Sequence, residues 1–178
     1  MIASDSVGQM TEAFMRFARH LPTEGDMALL VLKGHLLIEE QMVLLVESRL
    51  SNPSALDSAR LTFAQYLCVL RAMSTEDRKY FSVAKRLNNL RNSLVHKLSS
   101  AESIKKIRDV FDCAGDVLPA LANEPSEEEL FKTMRIAIAY VAASLTGERC
   151  KSIDLQIRRH EPAHSPGQVD RGDHIASA

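Results

Sequence analysis

The run Arg91-Asn92-Ser93-Leu94-Val95-His96 gathers a permanent cation, an amide and a titratable imidazole on one short stretch. At about 100° per residue, Leu87, Leu90, Leu94 and Leu98 share one face of a helix, and Arg91 projects from the middle of it. A guanidinium cannot shed its charge, so burying it without a partner costs several kcal/mol. Asn92 and His96, at helical spacing, point together towards the flank of that stripe. The set suits a phosphate held by the planar guanidinium fork and a proton moved by the imidazole, whose ordinary pKa is about 6.5.

The charge around the motif points the same way. From Arg78 to Arg108 there are nine basic residues against Glu102 alone, so this segment carries +8 in a chain of net charge -1. A basic segment centred on the motif suits an anionic partner such as RNA, with Lys85, Arg86 and Lys97 as candidate contacts beside Arg91. The other reading is a solvated helix face balanced by acidic neighbours. A second charge falls in an apolar stripe at Glu39, among Leu29, Leu32, Leu36, Val43 and Val46. A carboxylate against a guanidinium is one of the few ways to bury either, so Glu39 and Arg91 are expected to meet inside the fold. Such a pair either fixes helix register or holds Arg91 rigid to face a phosphate near His96. His35 stands one turn before Glu39 and forms a second polar couple with it, or is a histidine at the edge of the core.

These residues need helices to position them. Glycine and proline are few, apolar residues make up 46% of the chain, and helix formers abound, which predicts an all-α protein. Apolar periodicity and capping residues predict helices over about 6–20, 24–50, 55–73, 74–98, from a capping start at 99–102 onward, and 126–147. The expected architecture is an up-and-down helical bundle of five to six helices over residues 1–147, followed by a polar tail, 148–178, that reads as poorly ordered. Three cysteines without CxxC spacing argue against a disulfide framework or a thiolate zinc site and fit a reducing cytoplasm. The N-terminus lacks the basic start and apolar run of a signal peptide, and charges interrupt every apolar stretch too soon to span a bilayer. No metal or cofactor is expected, and the histidines of the tail read as solvated rather than as ligands.

The run from Leu87 to Leu98, with its Leu-x-x-Leu-Arg-Asn-x-x-x-His pattern, resembles the HEPN superfamily (higher eukaryotes and prokaryotes nucleotide-binding), whose signature is Rx4–6H. The segment from Lys33 to Glu40 is similar to the preceding helix of that fold, and the likeness extends over about residues 24–98, including mannitol-repressor-like bacterial branches. The resemblance implies a bundle that dimerises so that two Arg/His motifs meet across a cleft. It also implies a metal-independent endoribonuclease, a toxin or antiviral-defence effector, with Arg91, Asn92 and His96 as catalytic residues and Glu39 and His35 in support. In that chemistry the ribose 2′-OH attacks its own phosphate, the imidazole moves protons, and Arg91 steadies the phosphorane. An antitoxin or regulatory protein is an implied partner. Leu98 stands where members silenced by nucleotidyltransferase antitoxins often carry tyrosine, so that mode of silencing is not expected. The alternative is a non-catalytic HEPN-like bundle acting as a regulator that binds RNA, a nucleotide or a protein partner.

Overall fold

The computed structural model describes residues 15, 17, 19–56, 58–95 and 100–160. The described residues form five α-helices of defined extent and no strand: α1 (Met27–Glu47), α2 (Phe63–Ala72), α3 (Lys79–Val95), α4 (Ser100–Ala114) and α5 (Glu127–His160). Of the helix expected over 6–20, residues 15, 17, 19 and 20 are described and helical, and Phe17 and Leu21 are buried against the core. No helix among the described residues is long and apolar enough to cross a membrane.

Local chemistry sets the helix ends. Asp26 caps α1 by accepting from the Ala28 amide at 2.8 Å, satisfying one of the orphan donors of the first turn. The helix expected from 55 begins instead at Phe63. Residues 53–56 form a single 3-10 turn, and Arg60 takes a positive φ of 45°. Thr62 then starts α2 with a reciprocal capping box to Gln65, a stronger start than the turn at Asn52-Pro53-Ser54 can offer. Ser126 and Glu129 cap α5 in the same reciprocal way.

Paired residues give the helix directions. His35 meets Asn88 while Ala28, Leu29 and Leu32 lie by Arg91 and Leu94, so α1 and α3 run antiparallel; Ser93 meets Lys106 and Lys79 meets Asp116, so α4 runs antiparallel to α3. Gln41 meets Thr146 and Arg49 meets Ser152, so α5 runs in the same sense as α1, and therefore as α4. The bundle departs from a strict up-and-down order at this point. Residues 115–126 return alongside α4, where Arg108 donates to the Asn123 carbonyl at 3.3 Å, and α5 restarts in the direction α4 took.

The core is one cluster centred where α1 and α5 cross, with Leu30, Ile38, Met42, Leu45, Met134, Ile138 and Leu145 fully buried. Gly34 permits that crossing. A Cβ there would lie 2.5 Å from Cδ1 of Ile138, well inside van der Waals contact. Two expectations are corrected here. The core face of α1 is Leu30, Val31, Gly34, His35, Ile38, Met42, Leu45 and Val46, whereas Leu29, Leu32 and Leu36 are 44%, 40% and 56% exposed. The last helix does not end near Gly147: α5 continues to His160, and Glu148, Cys150 and Ser152 pack beyond the expected boundary, held to Arg49 through Glu148 and Ser152. Residues 161–178 of the expected tail lie outside the described residues.

Candidate functional site

Helix α3 carries the motif. Its core face is Tyr80, Phe81, Val83, Ala84, Leu87, Leu90 and Ser93, which leaves Leu94 and Arg91 half-buried at the edge nearest α1. Arg91 Nη1 donates to Oδ1 of Asn92 at 3.1 Å, while its Nε is buried without a partner. The expected Glu39–Arg91 ion pair is not formed, and among the described residues no carboxylate lies within 4.0 Å of Arg91. The reason is the corrected register of α1. Because Leu32 and Leu36 face outward, Glu39 beside them is only half-buried and retains solvent, so it needs no internal cation.

A buried polar couple takes the place of that pair. His35 is buried, its ring stacks on Phe63 with centroids 4.2 Å apart, and its Nε2 donates to Oδ1 of Asn88 at 2.9 Å. Burial pushes the His35 imidazole below its ordinary pKa. The Asn88 hydrogen bond and the Glu39 carboxylate oppose that shift, and the Arg91 charge adds to it. His35 therefore sits within electrostatic reach of both charges that were expected to meet directly. It is a neutral donor at physiological pH.

Two surfaces flank Arg91. On the α1 side, Asp26, Ala28, Leu29, Leu32, Arg91 and Leu94 line a mostly apolar hollow of about 290 Å³. On the α4 side lies a groove of about 450 Å³ lined by Arg86, Asn89, Asn92, Ser93, Lys106 and the carboxylates of Glu102 and Asp109. Lys106 donates to the Ser93 hydroxyl at 2.6 Å, and Ser93 donates back to the Asn89 carbonyl at 2.7 Å. Asn92 joins the two surfaces, since its amide receives Arg91 and also faces the groove.

Asn92 thus links Arg91 to the groove that Arg86 lines, while His35 bonds Asn88 and Glu39 lies one turn further along α1. Lys85 is exposed, and none of the described residues pairs with it. His96 and Lys97 lie outside the described residues. Part of the basic segment is neutralised, because Arg78 faces Glu76 and Glu148, Lys79 faces Asp116, Arg86 lies 4.0 Å from Asp109 and Lys106 lies 3.9 Å from Glu102. The segment is thus partly balanced by acidic neighbours, whereas Lys85 and Arg91 face no carboxylate among the described residues.

Sequence reasoning gave no site role to Asn88 or Lys106. A signal was present for Asn88, since an amide one turn before Arg91 lies on the same face and can meet a buried histidine across the helix pair. Nothing in local spacing marks Lys106, which reaches the groove from another helix. No family model, curated protein or solved structure matches this chain.

Proposed function

We propose that this chain is a metal-independent endoribonuclease of HEPN type, a toxin or antiviral-defence effector, that acts as a homodimer with Arg91, Asn92 and His96 at its centre. The observation that carries the reading is the state of Arg91. Its guanidinium is anchored by one amide, keeps an unpaired Nε, and has no described carboxylate to neutralise it. A half-buried cation in that condition gains most from an anion that brings several acceptor oxygens, and an RNA phosphate does so. In the adjoining polar groove Arg86 and Lys106 face Asp109 and Glu102, and Asn89 and Asn92 offer amides to base or sugar.

In the proposed reaction His96 takes the proton from a ribose 2′-OH or delivers one to the leaving 5′-oxygen. Arg91 stabilises the charge that develops on the phosphorane. One motif supplies one imidazole, and a second copy supplies the other. The outward leucines of α1, next to Arg91 and Leu94, provide an apolar surface on which two copies would bring their motifs together.

The test is incubation of wild type, Arg91→Ala and His96→Ala with a mixed RNA in EDTA, followed by end-group analysis. The expected result is 2′,3′-cyclic phosphate and 5′-OH ends from wild type alone, and no cutting of DNA. Equal cleavage by all three proteins would sink the mechanism. Retained RNA binding with no cleavage by any of them would replace it with the non-catalytic regulatory bundle.

A further inference from the structure

The opposite end of α3 carries a second polar cleft that the reading above does not use. Its volume is about 590 Å³. Its floor is the small-residue surface of α5 at Ala143, Ser144 and Gly147, and Arg78, Tyr80, Tyr140 and Lys151 stand around it. Arg78 and Arg91 are thirteen residues apart in sequence, which along a helix is about 20 Å. The two sites are therefore separate.

Counting donors against acceptors shows what the cleft lacks. Glu148 is the central carboxylate, and its oxygens are already engaged: Oε2 by Arg49 at 3.2 Å, and Oε1 by Lys151 at 3.3 Å with Arg78 at 3.8 Å. Three cations share one negative charge. Arg78 reaches Glu76 only at 3.5 Å, so its guanidinium faces two carboxylates and makes a short hydrogen bond to neither. Lys151 has used one of its three N–H donors. Among the described residues the hydroxyls of Tyr80 and Tyr140 have no hydrogen-bond partner. Burial pushes the Tyr80 phenol up to about 12, so it stays protonated and able to donate across the physiological range. The cleft's carboxylates, Glu76 and Glu148, face three cations, so donor capacity on two cations and two phenols exceeds the acceptors that the lining supplies.

We propose that this cleft binds a small organic phosphate, with Arg78 and Lys151 gripping the phosphoryl oxygens and the Tyr80 and Tyr140 hydroxyls completing the set of donors. A phosphate offers enough acceptor oxygens for convergent donors of this kind. The volume exceeds what a bare phosphate fills, and the small-residue floor leaves room for the organic part.

Calorimetric titration of the full chain with glycerol 3-phosphate tests this. Wild type is expected to bind saturably and to gain thermal stability on binding. Lys151→Gln and Tyr140→Phe change exposed or half-buried side chains and should fold normally by circular dichroism. Loss of the charged contact in Lys151→Gln is expected to weaken binding about tenfold, with a smaller loss in Tyr140→Phe. Arg91→Ala is expected to bind as wild type does. Absence of saturable binding by wild type overturns the proposal, as does binding unchanged by both cleft variants. Binding abolished by Arg91→Ala would also overturn it, by moving the ligand to the other end of α3. Each of these results is independent of whether the protein cleaves RNA.

Discussion

Arg49 and Arg91 are both half-buried arginines at the margin of the same bundle, and the molecule treats them in opposite ways. Arg49 follows α1 and is engaged by α5 at two of its nitrogens: Nη2 meets Glu148 at 3.2 Å and Nε donates to the Ser152 hydroxyl at 3.1 Å, with the two charged side chains only 19% and 15% exposed. Arg91 receives one amide oxygen, and its Nε has nothing. A cation that meets both a carboxylate and a hydroxyl of the facing helix works as a tie between helices. A cation left with spare donors weakens the fold slightly and is kept for an outside acceptor, the usual arrangement where stability yields to binding. The difference between the two sites is whether the facing helix supplies a carboxylate.

The largest effect that would break this contrast is on activity. Arg91→Ala is expected to lower RNA cleavage by about 10²–10³-fold, the scale for removing one donor to a developing oxyanion. Its stability should stay within about 1 kcal/mol of wild type, because no internal ion pair is lost. Cleavage rates and urea midpoints measured on the same preparations check both halves. A large stability loss in Arg91→Ala would put Arg91 in the same class as Arg49. The reciprocal change, Glu148→Ala, removes the carboxylate from three cations and is expected to cost about 1–3 kcal/mol, discounted from the fully buried case for the solvent that remains. Cleavage by folded Glu148→Ala protein should be unchanged.

The contrast was half legible in the sequence. Arg91 stands out because it interrupts Leu87, Leu90 and Leu94, but where the spacing put it in the middle of that stripe the structure leaves it half-buried at the edge. Its supposed partner Glu39 was misplaced because α1 is apolar on more than one face. Leu29, Leu32 and Leu36 satisfy helical periodicity, and so do Val31, Ile38 and Met42, so spacing alone cannot choose between the two sets. Contact with α5 chooses, through the close approach of Gly34 to Ile138. Glu148 was lost for a related reason. Polar residues after Gly147 read as a tail, whereas they continue a helix of 34 residues and answer Arg49, far away in sequence. Long-range partners of this kind leave no local periodic trace.

The choice of face on α1 can be tested at Gly34. Alanine there gains about 1 kcal/mol of helix propensity, but its Cβ would sit 2.5 Å from the buried Ile138 side chain. Overpacking of that kind costs about 1–3 kcal/mol, so a net loss of about 1 kcal/mol is expected. The double variant Gly34→Ala/Ile138→Val should recover part of it, and thermal melts read both. Stabilisation by Gly34→Ala alone would mean that the α1–α5 crossing is looser than described, and that the outward position of Leu29, Leu32 and Leu36 needs another cause.

The smallest effect concerns His35, which lies within electrostatic reach of both Glu39 and Arg91. Its imidazole is held below the ordinary value near 6.5, chiefly by burial, so the folded state favours the neutral ring. The stability this contributes is fully present above the unfolded pKa. It erodes as pH falls below that value, because the unfolded chain takes up a proton first, and it is gone once pH passes through the lower folded pKa. Urea midpoints measured from about pH 8 to about pH 5 should therefore decline through this window, and the decline should flatten in His35→Phe. Asn88→Ala removes the hydrogen bond that opposes the shift, so its folded pKa drops further and its decline should be steeper than that of wild type. Identical slopes in wild type and His35→Phe would show that His35 does not titrate with folding, and that burial does not hold its ring neutral.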